Sequence, residues 1–198
     1  NVIVSTAIVP AGQNRDRVFG RIVESLRNLA PFAAERRVSI LVEYHGSFVS
    51  SRDTWYILDA VGHPAVRCCW NPCNAIVAGE THGLGVPRVG RQTAVVHLLD
   101  ATRTSTGGIE QYVVPGQGRI ELGRYLLLVH GIAADPHWIV DGPPGSGSSS
   151  PREYLTAAKT WLDAEFQRIA QMPELSAYKG DKNAPRYTDP TARATANV

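Results

Sequence analysis

No stretch of about 18 consecutive apolar residues occurs in this chain, so nothing in it reads as a membrane span. Its start lacks the charged-then-apolar order of a secretory leader. Charge of one sign is also scarce, with a formal net charge of +2 over 198 residues. So small an excess argues against nucleic acid or an anionic membrane as a partner. No repeat of solenoid period is present. The cysteines are only Cys68, Cys69 and Cys73, with no second pair to complete a zinc site. Cys68 and Cys69 lie in an apolar run, where buried thiols behave as small hydrophobes. An odd count without partners suits a reducing compartment, which points to the cytoplasm. The run 145–150 (GSGSSS) lacks the GK[ST] ending of a phosphate loop and reads as linker.

What is present is an alternation of short apolar runs with longer amphipathic ones, the pattern of βα units around a parallel sheet. With 43% hydrophobic and 19% charged residues, the chain has the balance of one globular domain with its own core. Strands are predicted at 2–4, 38–43, 66–70, 93–98 and 138–141. Helix 16–29 should bury a stripe of Val18, Phe19, Ile22, Val23, Leu26, Leu29 and Ala30, with Pro31 opening a further turn through Arg36. Helix 53–60 should turn Trp55, Ile57 and Leu58 inward, and a further helix covers 122–131. Ser150-Pro151-Arg152-Glu153 reads as a capping box with proline at N1. The helix it opens should bury Leu155, Ala158, Leu162, Phe166 and Ile169. Residues 1–171 form the domain. Residues 172–198 are polar and aperiodic, and read as a mostly disordered tail or an extended arm.

Polar residues interrupt the apolar strands at telling places. Glu43 closes VSILVE, Asn71 closes VRCCW, His97 closes TAVVH and Asp141 closes HWIVD. The first two spacings are each about one βα unit, and the third is one unit with a long loop. In a parallel barrel such ends converge on one face, where sites are built. Two carboxylates, an amide and an imidazole make an oxygen-and-nitrogen set suited to a divalent metal: Mn²⁺, Mg²⁺, Co²⁺ or Zn²⁺. Taken singly, each has a plainer role. Glu43 can cap a helix or pair with a cation, Asn71 and Asp141 can serve turns, and His97 can be a core histidine.

Five segments in order resemble xylose-isomerase-like sugar phosphate isomerases and epimerases over roughly residues 1–170. They are VEYHG (42–46), WNPCNAIVAGE (70–80), VVHLLDATR (95–103), GQGRIEL (116–122) and HWIVDG (137–142). The resemblance implies an α/β fold, a partial (β/α)8 TIM barrel of about five βα units with parallel strands. It implies metal ligation by Glu43, Asn71, His97 and Asp141, with Glu43 and Asp141 as the acid/base pair. It places His45, Asn74 and Arg103 along the sugar site, with Gly116 and Gly118 in a closing loop. The substrate would be a small sugar or sugar phosphate, handled by proton abstraction beside a carbonyl through an enediolate.

The chain departs from the family pattern in three places. Asn71 stands where the family has Asp, Asp141 where it has Glu, and Leu99 where it has Lys. An amide brings no charge to a cation, and the shorter carboxylate loses about an ångström of reach. A degenerate, non-catalytic barrel domain that binds a small molecule or a partner therefore stays open, as does an endonuclease-type metal hydrolase of the same superfamily. The first three βα units of the family pattern have no counterpart here. With 198 residues against the ~250 of a complete barrel, and Asn rather than Met at position 1, the chain is expected to begin inside a larger protein. An open barrel segment would need cover for its apolar edges, which a homo-oligomer, a second chain or the missing residues could supply.

Overall fold

The computed structural model of the protein describes residues 1–6, 8–142 and 150–172. In chain order the elements are β1 (Val2–Ser5), α1 (Arg15–Glu35), β2 (Ile40–Glu43), α2 (Ser51–Val61), β3 (Val66–Trp70), α3 (Pro72–Val77), α4 (His82–Val89) and β4 (Thr93–Leu98). They continue with β5 (Asp100–Arg103), β6 (Ile109–Val113), α5 (Leu122–Gly131), β7 (His137–Val140) and α6 (Pro151–Ala170). Strands β1-β2-β3-β4-β7 form one sheet in that order, every pair parallel. β5 and β6 form a separate antiparallel hairpin between β4 and α5. Sequential parallel strands with helical crossovers are an arc of a βα barrel.

Side chains alternate across each strand, so the sheet has two distinct faces. One face carries Val42, Cys68, Trp70, Val96 and Leu98, packed under the helices with Leu26, Ile57, Val86 and Tyr125. The other face carries Leu41, Cys69 and Val95 as a smaller cluster. This second face is the concave one, and at the outer strands Ile3 and Ile139 remain 38% and 40% exposed on it. The three cysteines are free and buried. Burial pushes the Cys69 and Cys73 thiols up to about 12 and about 11, and Cys68 further still, so all three stay protonated. Among the described residues, no helix is long and apolar enough to cross a membrane.

Helix starts follow their caps. Asn14 Oδ1 accepts the amides of Asp16 and Arg17 at 2.8 and 3.2 Å. Ser50 Oγ accepts that of Asp53 at 3.1 Å, and Ser150 Oγ that of Glu153 at 3.2 Å, as the capping box predicts.

Several expectations need correction. Pro31 does not open a new turn: α1 runs unbroken through it. Both Pro31 and Arg27, four residues earlier, are exposed, so water can satisfy the carbonyl that proline leaves unpaired. Leu29, Trp55, Leu155 and Phe166, expected inside, are 52%, 37%, 51% and 38% exposed. Trp55 lies off the buried stripe of α2 (Thr54, Ile57, Leu58, Val61) and rests its ring on Tyr56, centroids 5.0 Å apart. On α6 the buried residues are Tyr154, Ala158 and Ile169. Helices α3 and α4 and the β5–β6 hairpin were not expected. The tail 173–198 and the linker 143–149 lie outside the described residues.

Candidate functional site

Strand pairing decides which side chains share the concave face. Glu43 pairs with Cys69, Cys69 with Val95, and Val95 with His137. Two residues further along, Asn71 and His97 keep that face, and His97 pairs with Ile139. Asp141, two beyond Ile139, has the same parity. All four residues thus stand at C-terminal strand ends: Asn71 and His97 lie level, two residues beyond Glu43 in the register, and Asp141 lies two further still. Such a stagger is what strand tilt in a barrel requires.

Three of the four are in contact. Asn71 Nδ2 donates to Glu43 Oε1 at 3.3 Å. His97 Nδ1 lies 3.6 Å from the same oxygen. Glu43 and His97 are partly buried, their side chains 16% and 15% exposed. Asn71 is buried and serves as the N-cap of α3, its Oδ1 accepting the Asn74 amide at 3.2 Å. Tyr44, wholly buried, fixes this corner: its hydroxyl accepts the Asn71 amide at 3.0 Å and donates to the Asn71 carbonyl. Asp141 sits apart. Its side chain is exposed, its amide reaches Leu98 O at 3.4 Å, and its carbonyl accepts the Tyr154 hydroxyl at 2.7 Å. Burial, with the charges of Asp141 and Asp100, pushes the Tyr154 phenol up to about 12, so it stays a donor. Among the described residues, no group of three or more His, Cys, Asp and Glu side chains is arranged to hold a metal ion.

The other residues singled out in sequence surround this centre unevenly. His45 is exposed on the loop after β2, its backbone clasped by Thr6 through bonds of 2.7 and 2.8 Å. Asn74 sits in the first turn of α3. Arg103 belongs to the hairpin and donates twice to Gly107 O, at 3.0 and 2.9 Å. Gly116 and Gly118 turn their amides onto Asp100 Oδ2, at 2.8 and 3.0 Å.

Sequence reasoning passed over Asp100, Tyr44, Glu80 and Tyr154. Asp100 is a carboxylate inside the buried run HLLDA, and that was its visible signal. Glu80 accepts from the Ser51 amide and the Arg88 guanidinium, each at 2.8 Å, and so ties the start of α2 to α4.

A family model described as xylose isomerase-like TIM barrel matches residues 1–165. The chain belongs to the xylose isomerase-like TIM barrel family. Solved members of this fold include the IOLI protein with a bound zinc atom, at TM-score 0.75 and 17% identity, covering 86% of this chain and 64% of that one. A D-tagatose 3-epimerase-like protein aligns at TM-score 0.70 and 15% identity, covering 85% and 62%. An L-ribulose 3-epimerase aligns at 0.69 and 12%, covering 93% and 66%. At these identities the likeness is one of fold, and the present xylose isomerase-like chain spans just under two thirds of each. No match was found among curated proteins.

Proposed function

We propose that this protein is a sugar or sugar phosphate isomerase or epimerase that works with a divalent cation. What supports it is the meeting of Glu43, Asn71 and His97 at the C-terminal mouth of the sheet. A zinc-bearing protein and two epimerase-type proteins of the same fold point the same way. The donors fit a cation in part. Glu43 offers a hard oxygen and His97 an imidazole nitrogen, 3.6 Å apart. Asn71 would join them by turning its amide oxygen from the α3 cap, and Asp141 would complete the set from β7.

When bound, the cation would supply Lewis acidity toward the carbonyl oxygen of the sugar. Glu43 takes the proton from the carbon beside that carbonyl, leaving an enediolate. Asp141 returns a proton, from the opposite face in epimerisation or to the next carbon in isomerisation. His45 and Asn74 flank the mouth and can hydrogen-bond sugar hydroxyls. Arg103, committed to its own hairpin turn, can reach a hydroxyl or phosphate only with its remaining N–H groups.

The test pairs calorimetric titration of Mn²⁺ with an assay of D-tagatose epimerisation. Cation binding with turnover supports the proposal. Absence of both leaves the second reading, a non-catalytic domain of this family that binds a small molecule. That reading is favoured by one observation, the commitment of the Asn71 oxygen to the helix cap.

A further inference from the structure

Asp100 opens β5, three residues past His97, and is 2% exposed. Its carboxylate is occupied by main-chain donors. Oδ1 accepts the amides of Ala101 and Ile120 at 2.9 and 3.2 Å. Oδ2 accepts those of Gly116 and Gly118 at 2.8 and 3.0 Å. Three of these donors are alternate residues of one loop, 114–120, so a single side chain fixes the whole loop.

Two further contacts tighten the grip. The Arg119 amide donates to Ala101 O at 2.8 Å, and His82 Nε2 lies 2.5 Å from Ile120 O. Neither glycine has room for a side chain. A Cβ on Gly118 would stand 2.5 Å from the Asp100 carboxyl carbon and 2.6 Å from Ala101 O. Gly116 has φ +90°, and a Cβ there would run into the Trp161 indole.

The loop also reaches the end of β7. Val114, at its start, packs with Tyr154 and Ala158. The Tyr154 hydroxyl holds the Asp141 carbonyl at 2.7 Å.

We propose that Asp100 is a positioning residue that latches loop 114–120 as a fixed rim of the strand-end site and, through Val114 and Tyr154, sets the segment carrying Asp141. Hydrogen bonds from amides to a carboxylate are stronger than neutral ones. Swinging the loop away would strip a buried carboxylate of three of its four main-chain donors and leave it the Ala101 amide alone, which is costly. The rim is therefore a preformed wall and not a flap that closes. A second consequence concerns recognition. The amides of Gly116 and Gly118 are spent on Asp100, so the side-chain donors this loop offers a sugar are those of the exposed Gln117 and Arg119.

Only the catalytic half of this inference rests on the proposed function. Hydrogen exchange on the full chain tests the latch itself. Asp100→Asn keeps the shape but turns a donor toward the amides. Exchange at Gly116, Gly118 and Ile120 should quicken at least about tenfold, while Leu41, Cys69 and Val95 keep their protection. Unchanged exchange in the loop, or an equal loss across the sheet, overturns the latch. Should that variant fail to fold, Gly118→Ala displaces the carboxylate instead and should give the same local signature. With Mn²⁺ and D-tagatose, kcat should fall in Asp100→Asn and in Tyr154→Phe by a larger factor than KM rises. If the wild type turns over no ketose, the proposed function fails while the exchange result still decides the latch. If the wild type is active and a loosened loop leaves kcat unchanged, the link to Asp141 is overturned.

Discussion

Asn71 and Glu43 face each other across neighbouring parallel strands, the amide nitrogen of one 3.3 Å from the carboxylate of the other. The amide does two things at once, donating to Glu43 and capping α3 through its oxygen. Aspartate at this position would keep the cap but lose the donor. It would also set two carboxylates against each other, which favours protonation of one or capture of a cation. Asn71→Asp should therefore lower stability without metal by on the order of 1 kcal/mol at neutral pH. Added Mn²⁺ should then raise its melting temperature more than that of the wild type. Thermal melts with and without Mn²⁺ decide the point, and equal shifts would mean that position 71 does not ligate.

Glu43 is the residue on which the proposed chemistry depends most. Glu43→Gln retains the size of the side chain beside His97 and Asn71 but cannot take up a proton. Turnover should drop by roughly 10²–10⁴-fold, the usual contribution of a positioned base. The circular dichroism spectrum should stay that of the wild type. An active Gln variant would remove Glu43 from the mechanism.

How much of this was legible in the sequence differs from element to element. Glu43, Asn71 and His97 stand out because each ends an apolar strand where a βα unit opens, and chain spacing alone brings such ends to one face. Helices α3 and α4 do not stand out. Gly83, Gly85 and Pro87 lower helix propensity within α4 and α3 is only six residues long, and burial of Cys73, Val86 and Val89 against the sheet decides the matter. Asp100 was hidden for another reason. Its loop partners lie 16 to 20 residues further along the chain, so no local pattern reports them. Leu155 and Phe166 mark the opposite failure, since apolar periodicity shows a stripe but not whether a neighbour covers it.

His82 supplies a test by pH. Burial pushes its imidazole below the ordinary range, opposed by the Ile120 carbonyl and the nearby Glu121 charge. Nε2 is held by that carbonyl, while Nδ1 is buried without a partner. The fold thus favours the neutral ring, whereas the unfolded chain takes up a proton near a pKa of about 6.5. The stability from this group is full above the unfolded value and is lost as pH falls below it. Melting temperatures should decline from pH 7 toward pH 5, and His82→Gln should flatten that decline. Identical slopes in the two proteins would assign the loss to other groups.

Two glycines separate helix propensity from packing. Gly20 lies on the exposed side of α1, and a Cβ there meets nothing within 4 Å. Gly20→Ala should stabilise by about 0.5–1 kcal/mol, because alanine has less backbone freedom to lose. Gly85 is also helical, but its Cβ would lie 2.5 Å from the ring of Trp70. That ring cannot move aside easily, since Tyr44 sits 4.6 Å away and Tyr125 stacks parallel to it at 6.4 Å. The propensity gain of up to ~1 kcal/mol should therefore be outweighed. Gly85→Ala should destabilise by a net ~1–3 kcal/mol, the usual cost of overpacking. Denaturant melts of both variants measure the pair. A stabilised Gly85→Ala would show that α4 rides looser on β3 than the Trp70 contact implies.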